Sequence, residues 1–307
     1  MSSEGISSFP SGGSGGTAGP GVASNRDALV EMAVCGFVSQ PALRPGGYVH
    51  HPDGRGEMLP GMFGIAFNAR VGDRAFGWAG DHVEPGVSIA HPDERADFAL
   101  HYLSCIGNEA VVTSGLAKGA TGTVTGEHAR LLVDFEPDIL ERLNIGDAIQ
   151  IRAHGRGLAF DGLPGIDVKK TSPRLLDALG LERRDDGTLV VPVAMELPIR
   201  IMGSGAELNS EYVDQDLMSG DRALMAELGV DRMRLGDLIG IRHADHRFGR
   251  SYREGAVTIA LCIHGDSVMT GHGPGILTLM SAVGGELDFR IDPGANIASL
   301  LGIGEQA

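Results

Sequence analysis

Alternation of apolar and polar residues predicts β-strands along most of the chain. The run LVEMAVCGFVSQPAL, residues 29–43, comes close to strict alternation before Pro41 ends it, as in a half-buried strand. RLLVDF, residues 130–135, and AVTIALCIHG, residues 256–265, are mostly apolar runs of the length of a buried strand. These patterns favour a fold built mainly from sheets.

Short helices are predicted between the strands. Residues 93–105 begin with acidic side chains and then place apolar residues at helical spacing. The run SPRLLDALG starts with Ser172 as N-cap and Pro173 at the first helical position. The other helices are predicted at residues 136–143 and 222–228, with a further helix start at 274–280.

One phrase occurs twice, as NIGDAIQIRAHG and RLGDLIGIRHAD. In each copy a Gly-Asp pair, Gly146-Asp147 or Gly236-Asp237, precedes an alternating Ile-x-Ile segment. A Gly-Asp turn that opens a strand explains this pattern, with the aspartate side chain capping its own turn. The repeat indicates either two barrel-like halves or one favoured turn used twice.

Composition strengthens the β-rich interpretation and bounds the number of domains. The chain has 47 glycines and only 5% aromatic residues, which implies many tight turns. Its 307 residues correspond to roughly two domains. We expect a Gly/Ser/Pro-rich flexible tail at residues 1–26, a β-barrel-like N-terminal domain at 27–160 and an α+β C-terminal domain at 161–307.

Charge and hydropathy exclude several kinds of partner. A formal net charge of -15 and a pI near 5.1 repel phosphate backbones and anionic lipids, so neither nucleic acid nor a membrane is an expected partner. No apolar segment approaches the ~18 residues of a membrane helix, and the N-terminus lacks the pattern of a signal peptide. We expect a cytoplasmic protein that forms a homo-oligomer.

Three further features of the sequence restrict the cofactors and the kinds of reaction that we expect. Cys35, Cys105 and Cys262 have no C-x-x-C spacing and are predicted to be reduced, buried thiols. No G-x-G-x-x-G opens a helix after a strand, so no nucleotide cofactor is expected. The absence of a G-x-S-x-G elbow disfavours a serine hydrolase.

The densest group of chemically able residues lies in CIHGDSVMTGHGPGILTLM. His264 and Asp266 are two residues apart at the end of a predicted strand and therefore share one face. His272 follows across a turn in which Gly273 and Gly275 allow backbone N–H groups to approach a ligand. The helix predicted after this turn would direct its positive end towards an anion.

A second segment, GWAGDHVEPGVSI, carries Trp78, Asp81, His82 and Glu84. Alone, the segment from His264 to Gly275 is a polar turn with a weak motif. Our central hypothesis is that the two segments meet in the fold and form one polar site. It requires the imidazoles of His82 and His264 to lie close together.

This combination of side chains suits a divalent metal ion such as Zn, Mn or Fe. Imidazole nitrogen and carboxylate oxygen are the usual ligands of these ions, which makes His82, His264 and His272 candidate ligands. The spacing matches no strong signature such as H-E-x-x-H, and hydrogen-bonded polar turns are the simpler interpretation. Additional candidate ligands are Asp81, His243, Asp245 and His246.

The same side chains also suit acid–base chemistry without a metal. A histidine beside a carboxylate is held in one tautomer and can transfer protons near neutral pH. Glu84 and Asp245 are candidate partner carboxylates for such a histidine. Arg250 is a candidate clamp for a substrate carboxylate, although a surface ion pair is its simpler role.

Several long phrases resemble a family of bacterial and archaeal proteins, domain of unknown function 4438. They include GWAGDHVEPGVSI, AKGATGTVTGEH, VPVAMELPIRIMGSG and RLGDLIGIRHADHRFGRSYREGAVTIALCIHGDS. The resemblance implies a RIFT-barrel-like N-terminal domain followed by a distinct C-terminal domain, within a mixed α/β, β-rich fold. A fainter similarity, limited to GDH and HGDS, points to acetamidase- and formamidase-type amidases, in which such motifs build a metal-assisted amide-hydrolysing site.

We therefore expect a small-molecule enzyme, a metal-assisted hydrolase or cyclase acting on an amide-like or ring bond, with its site between the two domains. The alternative is a non-catalytic ligand-binding or oligomeric scaffold protein. The expected catalytic residues are Asp81, His82, Asp245, Asp266 and His272, with Asp266 or Asp245 as base. The expected substrate contacts are Trp78, Glu84, Arg250, Gly273 and Gly275.

Overall fold

The computed structural model describes residues 22–43, 49–51, 53–205 and 214–304. Strands account for 37% of the chain and helices for 15%. The β-rich prediction is confirmed, whereas the helix content is low for the mixed α/β class that we expected. The physical reason is helix length, since the predicted helices that form are short.

A closed six-stranded barrel forms the first half of the chain. Its hydrogen-bonded order is β1-β9-β6-β7-β8-β5, and a pairing of Phe37 with Ala90 joins β1 to β5. Closure pairs both edges of the sheet. The strands of this half are β1 (Met32–Val38), β2 (Val49–His50), β3 (Gly56–Glu57), β4 (Ile65–Ala66), β5 (Gly86–Ala90), β6 (Glu109–Val112), β7 (Thr121–Glu127), β8 (Leu131–Asp134) and β9 (Ala148–Ala153).

Alternating apolar residues fill the barrel. Ile149 and Ile151 are fully buried along β9, while Arg152 of the same strand is exposed. Burial of one such side chain stabilises the fold by about 1.5–3 kcal/mol. Gly36, a buried residue of β1, allows the first helix to pack closely, because a Cβ there would come within 2.8 Å of Leu100 Cδ2.

The second half of the chain forms a curved half-barrel sheet and a smaller sheet. The large sheet has the order β13-β16-β17-β18-β15-β14, and β10 also pairs with β18. The small sheet has the order β11-β12-β19. The strands are β10 (Asp167–Val168), β11 (Glu182–Arg183), β12 (Leu189–Val193), β13 (Met195–Leu197), β14 (Met202–Gly205), β15 (Gln215–Leu217), β16 (Leu238–Asp245), β17 (Ser251–His264), β18 (Gly275–Ala282) and β19 (Leu287–Ile291).

The helix start predicted at residues 274–280 is wrong, because this segment is strand β18. It pairs antiparallel with β17, with Ile276 opposite Cys262 and Met280 opposite Ile259. All eight residues of β18 are buried. A continuous apolar run does not distinguish a strand buried on both faces from a buried helix, which explains the error.

The other predicted helices form, and the N-cap predicted at Ser172 is present. The Asp93 side chain accepts hydrogen bonds from the N–H groups of Arg95 and Ala96, and Ser172 accepts one from Leu175. Among the described residues, no helix has the length and apolar character that a membrane crossing requires. The helices are α1 (Glu94–Leu103), α2 (Pro137–Leu140), α3 (Pro173–Ala178), α4 (Arg222–Glu227) and α5 (Ile297–Leu301), with 3-10 turns at Arg26–Ala28, Ile199–Ile201 and Val230–Arg232.

The repeated Gly-Asp phrase is one turn used in both halves. Gly146 and Gly236 have φ angles of 88° and 86°, in the region that favours glycine. The carboxylate of Asp147 accepts the N–H of Asn144, and Asp237 caps its own turn in the same way. The first copy opens a barrel strand and the second opens β16 of the half-barrel sheet.

The flexible tail predicted at residues 1–26 lies outside the described residues up to position 21. Its last residues contact the barrel half of the chain. Asn25 donates its backbone N–H to Ala159 O at 3.2 Å, and its side-chain amide donates to Gly157 O at 2.9 Å.

His246 lies at the hairpin between β16 and β17, and we predict that it makes the fold sensitive to acid. Burial lowers the pKa of this imidazole to about 4. The unfolded chain therefore takes up a proton first as the pH falls, and stability present above the ordinary histidine pKa is lost towards pH 4. Between about pH 7.5 and about pH 5 this one group should cost about 2 kcal/mol.

The comparison that isolates this effect is urea unfolding of the wild type and of His246→Gln at both pH values. The wild type should lose about 2 kcal/mol more than the variant on acidification. Equal losses in the two proteins would show that His246 does not titrate in this way.

Candidate metal centre

The two segments singled out in the sequence lie side by side and are joined by backbone hydrogen bonds. The N–H of His82 donates to Asp266 O at 3.0 Å, and the N–H of Gly265 donates to Val83 O at 2.8 Å. The ring centroids of His82 and His264 are 5.0 Å apart. The proximity that our hypothesis required is therefore present.

His82 lies in the loop before β5 and is almost completely buried. Its φ of 52° is unusual for a residue other than glycine, and such a conformation persists only where the surroundings hold it. Its Nδ1 is 3.0 Å from the Asp81 carboxylate, which in turn accepts the Ser267 hydroxyl at 2.7 Å. Asp81 thus orients the ring so that Nε2 points to the other side.

His264 ends β17, directly opposite Gly275, the first residue of β18. Its Nδ1 is bonded to the Gly265 carbonyl at 2.8 Å, and its Nε2 lies 2.9 Å from Asp214 Oδ2. A Cβ at position 275 would overlap both Nε2 of His264 and the carboxylate of Asp214. Gly275 therefore leaves the space that the ring occupies.

His128 follows β7 and joins the same group of rings, with its centroid 4.1 Å from that of His264. Its Nδ1 is 2.8 Å from Glu84 Oε1, while the other oxygen of Glu84 accepts the Phe63 N–H and the Ser88 hydroxyl. Burial lowers the pKa of His128 to about 3 and raises that of Glu84 to about 7. A neutral imidazole whose Nδ1–H is held by a carboxylate leaves Nε2 free to act as a ligand.

Asp216, on the short strand β15, is the hub of the cluster. Its Oδ2 lies 3.3 Å from His82 Nε2 and is hydrogen-bonded to His272 Nδ1. Its Oδ1 lies 3.3 Å from His264 Nε2. Burial raises the pKa of Asp216, but hydrogen bonds from the three histidines outweigh it and hold the pKa well below its ordinary value.

The charge on these carboxylates is balanced by histidine protons in the protein without an ion. Burial lowers the pKa of His264, yet hydrogen bonds to Asp214 and Asp216 raise it well above its ordinary value. The pKa of His82 is raised in the same manner by Asp216 and Asp81. A divalent cation supplies the same positive charge when it replaces these protons.

The donor atoms form overlapping groups that fit metal ions. Within each group, one atom from every residue lies within 4.8 Å of the others. The groups are His82, His128 and His264; His82, Asp216 and His272; and Asp214, Asp216 and His264.

Two other residues from the expected site lie behind the donors rather than among them. Asp81 holds His82, and its pKa falls to about 2 because hydrogen bonds with His82 and Ser267 outweigh the effect of burial. Glu84 holds His128. Both are placed to orient ligands, which is a different role from the acid–base and substrate contacts that we expected.

The carboxylate of Asp266 points away from the imidazoles. It accepts the Ser219 hydroxyl at 2.5 Å and pairs with Arg222 at 2.6 Å. Burial raises its pKa, although these two contacts oppose the shift. The observed contribution of this residue to the cluster is its backbone carbonyl, which holds the N–H of His82.

Asp245 and Arg250 are not brought to the cluster, contrary to expectation. They flank the turn between β16 and β17, whereas His264 ends β17 at the opposite end. That strand has 14 residues, which is about 45 Å of extended chain. Asp245 pairs instead with Arg247 at 2.9 Å, and Arg250 is exposed. The candidate ligands His243 and His246 lie at the same distant end.

Trp78 also lies apart from the donors. Its indole N–H donates to Arg74 O at 2.8 Å, and its ring lines an apolar pocket of about 410 Å³ together with Phe63 and Phe67.

Gly273 allows close packing, because a Cβ there would overlap Leu217 O. No helix begins beside Gly273 and Gly275, because the segment that follows is strand β18. Both glycines make room for neighbouring groups, and the predicted substrate contacts lack the helix end that was expected beside them.

Sequence reasoning missed His128, Asp214 and Asp216. A signal was present for each, since His128 directly follows a strand and the two aspartates are spaced to share a face of a strand. The acidic segment around them has no apolar alternation that marks β15 as a strand.

The fold and the cluster together define a class of protein. It is β-rich, and a buried histidine–aspartate cluster lies between a closed barrel and a half-barrel sheet.

The chain belongs to the DUF4438 family, as its sequence phrases suggested. The family's N-terminal domain of unknown function matches residues 48–177, and its C-terminal domain matches residues 178–301. A solved structure titled "Crystal structure of TM1086" is 38% identical with a TM-score of 0.86, over 91% of this chain and 99% of that chain. A comparison with curated proteins found no match.

We predict that Gly275→Ala will disturb the cluster and destabilise the protein. The new methyl group would overlap the fully buried His264 ring and the Asp214 carboxylate, and overpacking of this kind costs about 1–3 kcal/mol. The measurement is the free energy of unfolding in urea. Gly284→Ala is the matched control, because no heavy atom lies within 4 Å of a Cβ there. If the two variants lose the same stability, the close packing at Gly275 is not as described.

Proposed function

We propose that this protein is a metal-dependent hydrolase or cyclase that acts on an amide-like or ring bond of a small molecule. The observation that carries the proposal is the convergence of imidazole and carboxylate donors from both halves of the chain. Three of these imidazoles have Nδ1 bonded to an acceptor, in His82, His128 and His264. Such partners behind the ligands are characteristic of metal-binding histidines.

The spacing of the donors supports an ion of the Zn, Mn or Fe type. His82 Nε2 lies 3.3 Å from both Asp216 Oδ2 and His272 Nδ1, while these last two atoms are hydrogen-bonded directly to each other. Donors arranged tetrahedrally at metal–nitrogen distances of about 2.0–2.1 Å are ~3.3 Å from one another. Nitrogen and oxygen donors together favour Zn, Mn or Fe over the softer ions that thiolates select.

The donor set favours a catalytic rather than a purely structural ion. Structural zinc sites are commonly closed by cysteines, and the donor groups here contain no thiolate. Most of the cluster is buried, but the His272 side chain keeps 19% of its surface exposed. This edge is where we place the entry of substrate and water.

The side chains of the cluster would have three different roles. His82, His264, His272, Asp214 and Asp216 would hold the ion, which would lower the pKa of a bound water and polarise a carbonyl. Asp81 and Glu84 would keep their histidines in the ligand tautomer. Ser204 Oγ, 3.5 Å from His272 Nε2, would fix the orientation of the exposed ring.

A small polar substrate fits the surroundings of the cluster. A pocket of about 240 Å³ lies beside the loop after His264 and is lined by Ser267, Met269, Arg55 and Arg222 among others. Ser267 also bonds Asp81, so this pocket is separated from His82 by one residue. The amide-like bond in the proposal rests on the type of donors and on the likeness to acetamidase- and formamidase-type enzymes.

The remaining parts of the proposal concern the setting of the enzyme. We assign the N-terminal barrel to the RIFT type and place the protein in the cytoplasm as a homo-oligomer. Its net charge of -15 supports a small molecule rather than nucleic acid as its partner.

The proposal predicts that purified, untagged protein contains Zn, Mn or Fe and that these ions raise the melting temperature of the metal-depleted protein. His272→Ala should reduce this rise while leaving the melting temperature of the metal-free protein nearly unchanged, because His272 is a partly exposed loop residue. Elemental analysis and thermal unfolding provide the two readouts. His154→Ala, a partly buried histidine of the barrel half outside the cluster, is the control.

Absence of bound metal, together with no thermal shift from any of the three ions, would falsify the proposal. Bound metal without turnover of amide or cyclic amide substrates would instead support the ligand-binding alternative. A large loss of stability in metal-free His272→Ala would assign this residue a structural role.

A further inference from the structure

We propose that the cluster holds two metal ions bridged by the carboxylate of Asp216. This inference deepens the proposed function and rests on it. It follows from the way in which the donors divide around this one residue.

The two oxygens of Asp216 face different sets of donors. Oδ2 contacts His82 Nε2 and His272 Nδ1, whereas Oδ1 faces His264 Nε2. Asp214 belongs to the second set, since its Oδ2 is 2.9 Å from the same nitrogen of His264. A carboxylate that presents one oxygen to each of two donor sets has the arrangement of a bridging ligand.

The number of donors also exceeds what one ion requires. A tetrahedral ion takes four ligands, and a catalytic one takes three from the protein. Six side chains supply donors here, and the set of His82, Asp216 and His272 shares only Asp216 with the set of Asp214, Asp216 and His264. Each set alone provides the three protein ligands of one ion.

His128 completes the arrangement on the barrel side. It forms a third group with His82 and His264, which belong to different sets. Its ring stacks on that of His82 with centroids 5.4 Å apart. We assign His128 to the ion held by His264, because the centroids of these two rings are only 4.1 Å apart.

Two ions would extend the chemistry of the site. Paired ions about 3.5–4 Å apart stabilise both the attacking and the leaving group of a displacement. The substrate class that benefits is one whose leaving group carries charge, such as the nitrogen of an opened amide or ring. Mn, Fe and Zn all suit the mixed imidazole and carboxylate ligands.

The test uses the full chain, depleted of metal and titrated with Mn²⁺ by equilibrium dialysis with elemental analysis. Two Mn²⁺ per chain are expected, with an electron paramagnetic resonance spectrum typical of exchange-coupled ions. In Asp216→Asn the coupled spectrum should disappear. Asp266→Asn is the matched control, because this carboxylate contacts Ser219 and Arg222 rather than the imidazoles.

Single-set variants keep the inference testable if Asp216→Asn does not fold. His272→Ala removes a donor from one set and Asp214→Asn from the other, so each should retain one Mn²⁺ per chain and give an uncoupled spectrum. One ion per chain in the wild type would overturn the two-ion inference while leaving the metal-dependent enzyme in place. No bound Mn²⁺, Zn²⁺ or Fe²⁺ would overturn both.

Discussion

Burial of several ionisable groups in one small space is the constraint on which this structure depends. Asp216 is almost completely buried and remains a carboxylate only because histidines on three sides donate to it. An unbalanced charge in such a place costs several kcal/mol, so every negative oxygen needs a proton or a cation beside it. The left-handed backbone conformation of His82 and the glycine at position 275 allow the balancing groups to come together.

The architecture solves this problem with neighbouring strand ends. In the barrel, β5 pairs with β8 and β8 with β7, which brings the loop of His82 next to the turn of His128. In the second sheet, β15, β18 and β17 are adjacent, so that Asp216, Gly275 and His264 meet at one end of these strands. The half-barrel sheet and the closed barrel each present one group of polar residues to the other.

Much of this could be predicted from local patterns. Short helices, the cap at Ser172 and the β-rich class follow from signals within a few residues, whereas the meeting of His82 with His264 is inferred from the matching chemistry of two distant segments. The sequence predicts a helix start at strand β18 because the two buried faces of this strand remove the alternation that marks a strand. Asp214 and Asp216 are not predicted as site residues because β15 has only three residues and lies in an acidic segment.

The failure at Asp245 has a different cause. Asp245 and Asp266 both lie where a strand gives way to a loop, and the sequence makes them look equivalent. They are at opposite ends of the β16–β17 hairpin, and His264 lies at the Asp266 end. Only the long-range packing of the sheet on the barrel decides that His82 and His128 join it there. Information of this kind is contained in tertiary contacts between distant segments and not in local periodicity.

Because the donors come from both halves of the chain, an ion held by them would also act as a cross-link. Its binding would contribute to folding by mass action, by about 2.7 kcal/mol when the free ion is at 100 times its dissociation constant. The metal supply of the cell would then set how firmly the barrel and the half-barrel sheet are joined. A shortage of the ion would lower the stability of the protein and shorten its lifetime.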